Sequence, residues 1–143
     1  MLQYDIYWLV QKRVLVYRLN GDYDLEIMRL GAQDVHQHVL TGQPPVHLII
    51  DTTNLTSPSA DFRGPMNDLQ EYRGQQEMGW TVLVASSALV RFFGNVAARL
   101  LQTNFRIAYS FDEAVSLLWK LDPLVEQAAS LPISPDLTAP PER

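Results

Sequence analysis

Hydrophobic and polar positions follow two different periods along the first third of the chain. Every second position is aromatic or aliphatic within 4–10 and 13–19, which predicts two half-buried strands joined by a short turn. Such a short connection favours an antiparallel hairpin. Asn20-Gly21-Asp22 is then expected to begin a helix, because apolar residues recur at intervals of three and four across 25–39.

The rest of the chain alternates short apolar runs with amphipathic segments. The runs 46–51, 80–85 and 105–109 resemble buried strands, and the first is expected to end at Asp51 and open into a loop. Helices are expected to begin near Pro65, at Ser86 or Ser87, and at Ser110. The order β-β-α-β-α-β-α-β-α predicts an α/β fold with a mixed sheet of about five strands and a packed helix layer.

One domain is predicted over residues 1–122, followed by a proline-rich C-terminal extension over 123–143. The length of 143 residues suits a single domain. Four prolines between Pro132 and Arg143 indicate a flexible tail, although 124–131 has the composition of a short helix.

Composition excludes several classes of function. The chain has no cysteine, so disulfides, thiolate metal sites and cysteine nucleophiles are excluded. The formal charge of −5 disfavours general nucleic-acid binding. The longest apolar stretch, 80–90, is shorter than the roughly 20 residues of a membrane span, and Asp5 disfavours a signal peptide. A cytoplasmic protein is therefore expected.

Motifs for catalysis and metal binding are missing from the sequence. It contains no Gly-x-Ser-x-Gly and no glycine-rich phosphate loop. His36 and His38 are two positions apart on a predicted helix, so they point to different sides and do not chelate one ion. We expect a protein that is not an enzyme and has no metal or cofactor.

The hydroxyl-rich stretch after the third strand is the first candidate site. It comprises Asp51, Thr53, Thr56, Ser57 and Ser59. A phosphate added here would either find backbone N–H donors at a helix start or be repelled by neighbouring carboxylates. The alternative is that these side chains only satisfy the hydrogen bonds of a turn, with Asp51 as a cap.

The helix expected after Ser87 is the second candidate site. Acidic residues are absent from 78–111, whereas arginines occur there, so Arg91 and Arg99 are candidates for contact with an acidic partner. Phe92 and Phe93 belong to a predicted apolar stripe and suggest an apolar ligand pocket. The stripe comprises Leu89, Phe92, Phe93, Val96, Leu100 and Leu101. The alternative is a buried helix with a solvated arginine face.

Four segments carry a resemblance to a known family. They are the opening hairpin, Leu19-Asn20-Gly21, Leu48-Ile49-Ile50-Asp51, and the stretch 106–114 with the sequence RIAYSFDEA. Across 4–122 the chain resembles STAS domains, the fold of bacterial anti-anti-sigma factors, and more specifically the SpoIIAA-like, STAS/SEC14-related branch. The resemblance implies a non-catalytic interaction module controlled at a phosphorylatable Ser or Thr. Ser57 and Ser59 are the nearest positional matches, but the Asp-Ser-Ser-Gly-like motif of such domains is absent.

Three hypotheses follow from these patterns. The leading one is a regulatory module that binds a protein partner through the hydroxyl stretch with Arg91 and Arg99. The second is a binder of a small apolar or lipid-like ligand between the sheet and the helix of Phe92 and Phe93. The third is a structural homodimer formed through the aromatic-rich first hairpin.

Overall fold

The computed structural model describes residues 3–22, 24–57, 76–102 and 104–130. The strands are β1 Gln3–Val10, β2 Val14–Asp22, β3 Val46–Ser57, β4 Met78–Val84 and β5 Asn104–Ala108. The described helices are α1 Leu25–Thr41, α2 Ala88–Leu101, α3 Phe111–Leu121 and α4 Pro123–Ser130. The helix expected from Pro65 lies outside the described residues.

One mixed sheet has the strand order β1-β2-β3-β4-β5. The hairpin β1–β2 is antiparallel, and the three other neighbouring pairs are parallel. Each parallel connection needs a crossover, and helices α1 and α2 provide two of them within the described chain. The predicted α/β fold with a five-stranded mixed sheet is therefore confirmed.

Alternate residues of the strands build two cores, one on each face of the sheet. Val16, Ile49 and Val82 pack on one face with Leu118 of α3 and Val125 of α4. The opposite face carries a second cluster, which includes Leu15, Tyr17, Leu19 and Leu48 of the sheet and Val39 of α1. The central strands are thus buried on both faces, as their continuous apolar runs predicted.

The third strand is longer than predicted, and the loop expected from Thr52 is wrong for residues 52–57. β3 continues to Ser57 because β2 also continues, with Asn20 opposite Asn54 and Gly21 opposite Leu55. The Thr52 hydroxyl donates to the Val84 carbonyl oxygen at 2.7 Å and ties the extended segment to β4. β-Branched threonines also favour the extended backbone.

The helix start expected at Asn20-Gly21-Asp22 is wrong for the same reason, because those residues complete β2. Helix α1 begins at Leu25, and the Asp24 carboxylate caps it by accepting from the N–H groups of Glu26 and Ile27 at 3.0 and 3.3 Å. The predicted caps Ser87 and Ser110 are confirmed, since their hydroxyls accept from the N–H groups of Val90 and Glu113.

Helix α4 packs into the domain. Its Val125 is fully buried in the same core cluster as Val10 and Leu118. The first eight residues of the predicted C-terminal extension are therefore helical, whereas the boundary at residue 122 stays a prediction. Residues 131–143 lie outside the described part of the chain.

Gly31 lets α1 approach the sheet closely. A Cβ atom at this position would overlap the ring and hydroxyl of Tyr17. The Tyr17 hydroxyl is buried without a hydrogen-bond partner among the described residues, and its burial beside Tyr4 and Asp34 raises its pKa far above the usual range. This contact positions α1 over β2.

Candidate functional site

The carboxyl ends of β3, β4 and β5 meet at one edge of the sheet, where open α/β folds commonly place their working residues. The N–H of Ala85 donates to the Ala108 carbonyl oxygen at 3.0 Å, so the segments that leave β4 and β5 stay together. Thr52 lies beside them through its bond to Val84. The edge therefore brings the hydroxyl stretch close to the start of α2.

Asp51 is the buried centre of this edge. Its Oδ2 accepts from Arg18 Nε at 3.0 Å, and its Oδ1 accepts from the N–H of Thr53 at 2.9 Å and from the Thr53 hydroxyl. Burial acts to raise the pKa of Asp51, but the hydrogen bonds from Thr53 and Arg18 and the Arg18 charge hold it below its usual value. Asp51 is thus an ionised anchor with its oxygens engaged.

Arg18 is a residue of this candidate site that the sequence patterns did not identify. It lies directly opposite Asp51 in the β2–β3 pairing, donates to the Tyr7 hydroxyl at 3.4 Å and lies over the Phe111 ring at 5.2 Å. The available signal was a charged side chain in the predicted strand 13–19, on the face that also carries Val14 and Val16. Arg18 of β2 thus connects Tyr7 of β1 and Asp51 of β3 with the start of α3.

Amide and hydroxyl side chains continue from Asp51 toward the solvent. Asn54 Nδ2 donates to Asn20 Oδ1 at 2.9 Å, and Asn20 Nδ2 donates to Asp5 Oδ2 at 3.2 Å. The Thr56 hydroxyl donates to Asp22 Oδ1. Thr53 and Thr56 are both exposed residues, and each hydroxyl donates to a carboxylate.

The other two predicted hydroxyls occupy less defined positions. Ser57 is the last residue of β3, opposite Asp22, and Ser59 lies outside the described residues. The structure therefore joins Thr53 to Asp51 and places Thr56 and Ser57 farther along the same strand, beside Asp22.

Helix α2 packs on the sheet through a different face from the one predicted. Val90 is buried, and a Cβ atom at Gly94 would overlap the Leu83 side chain, so this side of the helix lies against β4. The predicted buried stripe is wrong at Leu89 and Phe92, which are exposed, the latter by 60%. A pocket lined by Phe92 between sheet and helix loses its main premise, although ligand binding itself stays untested.

Large apolar side chains are exposed on α2 and on the connection that follows β5. Phe92 contacts Phe93 edge to face, with ring centroids 5.2 Å apart, and Tyr109 from the β5–α3 connection is 63% exposed. We call Leu89, Phe92 and Tyr109 the α2 patch. Arg99 is exposed about two turns beyond Phe92 on α2.

Arg91 has a structural role beside the α2 patch. Its Nη1 donates to the Ser86 carbonyl oxygen at 2.7 Å, and its guanidinium lies over the Tyr109 ring at 5.1 Å. The predicted pair Arg91 and Arg99 is thus divided, because Arg91 holds Tyr109 and the β4–α2 connection whereas Arg99 extends into solvent.

His47 lies at the opposite end of the sheet and is 2% exposed. Its Nδ1 accepts from the N–H of Trp80 at 2.9 Å, and its Nε2 lies 2.8 Å from Asp122 Oδ2. Burial acts to raise the pKa of Asp122, but the hydrogen bond from His47 and the charge of Arg13 hold it below its usual value. This cluster joins β3, β4 and the end of α3.

The described residues offer neither a metal-binding cluster nor a membrane-spanning helix. They contain no group of three or more histidines and carboxylates able to hold a metal ion. In the same part of the chain, no helix has both the length and the apolar character needed to cross a membrane.

Comparison with known proteins identifies the fold. No protein-family model matches the chain, and no curated protein has significant similarity to it. Several solved structures match with probability 1.00, and for the two described here 82% of this chain covers 93% of the other. One is an uncharacterized DUF3478-family protein with a SpoIIAA-like fold from Shewanella loihica PV-4, at 16% identity and a TM-score of 0.55. The other is an anti-sigma factor antagonist from Mycobacterium paratuberculosis, at 15% identity and a TM-score of 0.52.

These likenesses show that the chain has a STAS/SpoIIAA-like fold, as the resemblance in the sequence implied. At such low identities they establish the architecture, and function has to be argued from the site.

Proposed function

We propose that this chain is a non-catalytic, cytoplasmic regulatory module that binds a protein partner through the α2 patch and the exposed end of β3. The observation that carries the proposal is the α2 patch, where Leu89, Phe92 and Tyr109 expose apolar surface beside a helix without acidic residues. Exposed aromatic side chains held in place are typical of the centres of protein interfaces. The anti-sigma factor antagonist of the same fold supports a partner related to anti-sigma factors.

Rigidity of the α2 patch favours this function. Arg91 stacks on Tyr109 and is itself bonded to the Ser86 carbonyl, and Phe92 is braced by Phe93. Side chains that are ordered before binding lose less conformational entropy in the complex. Arg99 adds a charge at the border, where it would speed association with an acidic partner more than it would tighten the complex.

Replacing Phe92 with serine is expected to weaken partner capture about tenfold or more, because an anchor side chain typically contributes at least 1–2 kcal/mol to binding. The measurement is quantitative mass spectrometry of proteins cross-linked to the tagged chain in its own host. Leu124→Ser is the matched control, because Leu124 is 67% exposed on α4, which packs on the other face of the sheet.

Specific loss of the same protein with Phe92→Ser and Arg99→Glu, but not with Leu124→Ser, is the expected result. Equal capture by all four forms of the chain, including the unaltered one, would remove the α2 patch as the binding surface. Arg99 is the cleaner charge reversal, because changing Arg91 also disturbs the connection between β4 and α2.

We further propose that phosphorylation of the hydroxyl stretch regulates partner binding. The exposed Thr53 hydroxyl donates to Asp51, so a phosphate there would stand beside a buried carboxylate. Repulsion between the two anions would break the Asp51–Thr53 contact and rearrange the end of β3.

Phosphate on Thr53, Thr56, Ser57 or Ser59 is therefore expected in protein isolated from the host, and peptide mass spectrometry locates it. Thr53→Glu is expected to reduce partner capture at least severalfold, whereas Thr53→Val keeps the side-chain shape without the charge. Regulation by phosphorylation would be contradicted if the chain carries no phosphate under any growth condition and if Thr53→Glu captures the partner as well as the unaltered chain does.

A further inference from the structure

β1 is a long edge strand with little protection against pairing. It has eight residues, from Gln3 to Val10, and it lies at one end of the strand order. Natural edge strands usually carry lysine, proline or an early bulge that prevents pairing with another chain. β1 has no lysine, arginine, proline or glycine, and its irregularity lies near its end, between Trp8 and Val10. Asp5 is its one charged residue, so pairing needs a register that gives this carboxylate a donor rather than a second carboxylate.

The apolar face of β1 is incompletely covered by its own domain. Tyr4, Ile6 and Trp8 pack on the cluster under α1, yet all three remain half-buried, whereas Leu15 and Leu19 on the neighbouring strand are almost fully buried. α1 reaches β1 through Asp34, which accepts from the Tyr4 hydroxyl, and His38, which lies beside Trp8. Large apolar side chains at an open edge gain free energy when a further strand covers them.

We infer that β1 pairs with β1 of a second copy of this chain, antiparallel, with the two-fold axis at Ile6. Directly opposite residues of an antiparallel pair point to the same face. This register places Ile6 opposite the partner's Ile6 and Tyr4 opposite the partner's Trp8, so the apolar rows of the two copies become continuous. On the other face it places Asp5 opposite the partner's Tyr7, where the phenol can donate to the carboxylate.

The neighbouring two-fold registers are less favourable. A two-fold axis at Asp5 would place two carboxylates directly opposite each other, which is destabilising. An axis at Tyr7 would place Asp5 opposite the partner's Leu9 and leave the carboxylate without the phenol. The other edge strand, β5, has only five residues and carries Arg106 near its centre, so it offers a shorter and charged alternative.

Mixed disulfide cross-linking tests both the pairing and its register. The chain has no cysteine, so single substitutions act alone. In the inferred dimer, opposite Cα atoms lie about 5 Å apart, within disulfide reach, whereas the two copies of residue 5 lie about 8 Å apart, beyond it. A mixture of Asp5→Cys and Tyr7→Cys chains, distinguished by a tag, should therefore cross-link faster than either variant alone.

Asn104→Cys mixed with Arg106→Cys is the matched control, because these exposed residues would be opposite each other if β5 paired instead. Light scattering of the unaltered chain is expected to give twice the mass of one chain at high concentration. A monomer at every concentration overturns the inference, and so does a dimer that cross-links through β5 or through Asp5→Cys alone.

This test is independent of the proposed partner binding. β1 and α2 lie at opposite ends of the strand order, since α2 packs on β4 and β5. If Phe92→Ser loses partner capture and the unaltered chain is a monomer, the proposed function is retained and the dimer is rejected. If Phe92→Ser keeps partner capture and the unaltered chain is a dimer paired through β1, the dimer is retained and the proposed binding surface is rejected.

Discussion

Replacing His47 with leucine is expected to reduce the free energy of unfolding by about 3 kcal/mol, because it removes both hydrogen bonds of a buried imidazole at once. A backbone N–H can only donate, so His47 Nδ1 must accept from Trp80, and the ring proton of the neutral histidine is on Nε2. That proton is donated to Asp122 Oδ2 at 2.8 Å. Leucine fills similar volume but leaves the Trp80 N–H without its acceptor and Asp122 with the weaker contact to Arg13 at 3.5 Å.

Urea unfolding followed by tryptophan fluorescence measures the loss. Asp122→Asn is the matched control, because its amide oxygen still accepts from His47 Nε2 while the ion pair with Arg13, at 3.5 Å, is lost. Its cost is expected to be about 1 kcal/mol, since that ion pair is partly exposed to water. Equal stability of His47→Leu and the unaltered chain would show that these hydrogen bonds contribute no net stability.

Local patterns in the sequence predicted the elements well because they depend on near neighbours. Alternation identified the hairpin, and the caps Ser87 and Ser110 were recognised from their own side chains and the helices that follow. The limits of β3 could not be predicted in this way. Its second half forms only because Asn20 and Gly21 extend β2 alongside it, and that pairing joins residues about thirty positions apart.

The predicted orientation of α2 was wrong for a related reason. The hydrophobicity of Leu89 and Phe92 suggested burial, but Gly94 determines which side of the helix can approach Leu83. A glycine contributes little to an apolar stripe, so the sequence pattern gave it no weight. The resulting exposure of Phe92 moves the candidate site from an internal pocket to the surface.

The roles of His47 and Arg18 could not be predicted either, because each depends on a partner that is distant in sequence. His47 meets Asp122 across 75 positions, and Arg18 meets Asp51 across 33. The position of Asp51 at the end of a buried apolar run marked it as a candidate, whereas its partner Arg18 lies in a strand of mostly apolar residues. The network around Asp51 could therefore be located from the sequence but not assembled.

Replacing Arg18 with methionine is expected to cost about 2 kcal/mol, less than the loss of a fully buried ion pair because the Arg18 side chain is 28% exposed. Methionine keeps much of the packing on Phe111 but leaves the buried Asp51 carboxylate with only its Thr53 hydrogen bonds. The charge of Asp51, rather than lost packing, should account for most of the effect.

The pH dependence of unfolding separates these two causes. The folded pKa of Asp51 is below the ordinary carboxyl value of 3.8, so its ionised form stabilises the fold above that pH. This contribution disappears as the pH falls through the lowered folded value. The difference in stability between the unaltered chain and Arg18→Met should therefore be full at neutral pH and shrink below about pH 4.

Asp51→Asn and the double variant complete a thermodynamic cycle for this pair. If the ion pair is responsible, adding Arg18→Met to Asp51→Asn should cost less than about 1 kcal/mol, because no buried charge remains to be compensated. A difference that stays constant from neutral to acid pH would instead assign the effect to packing on Phe111. Since Asp51 also holds the exposed Thr53, Arg18→Met should alter partner capture only if the ordered end of β3 belongs to the binding surface.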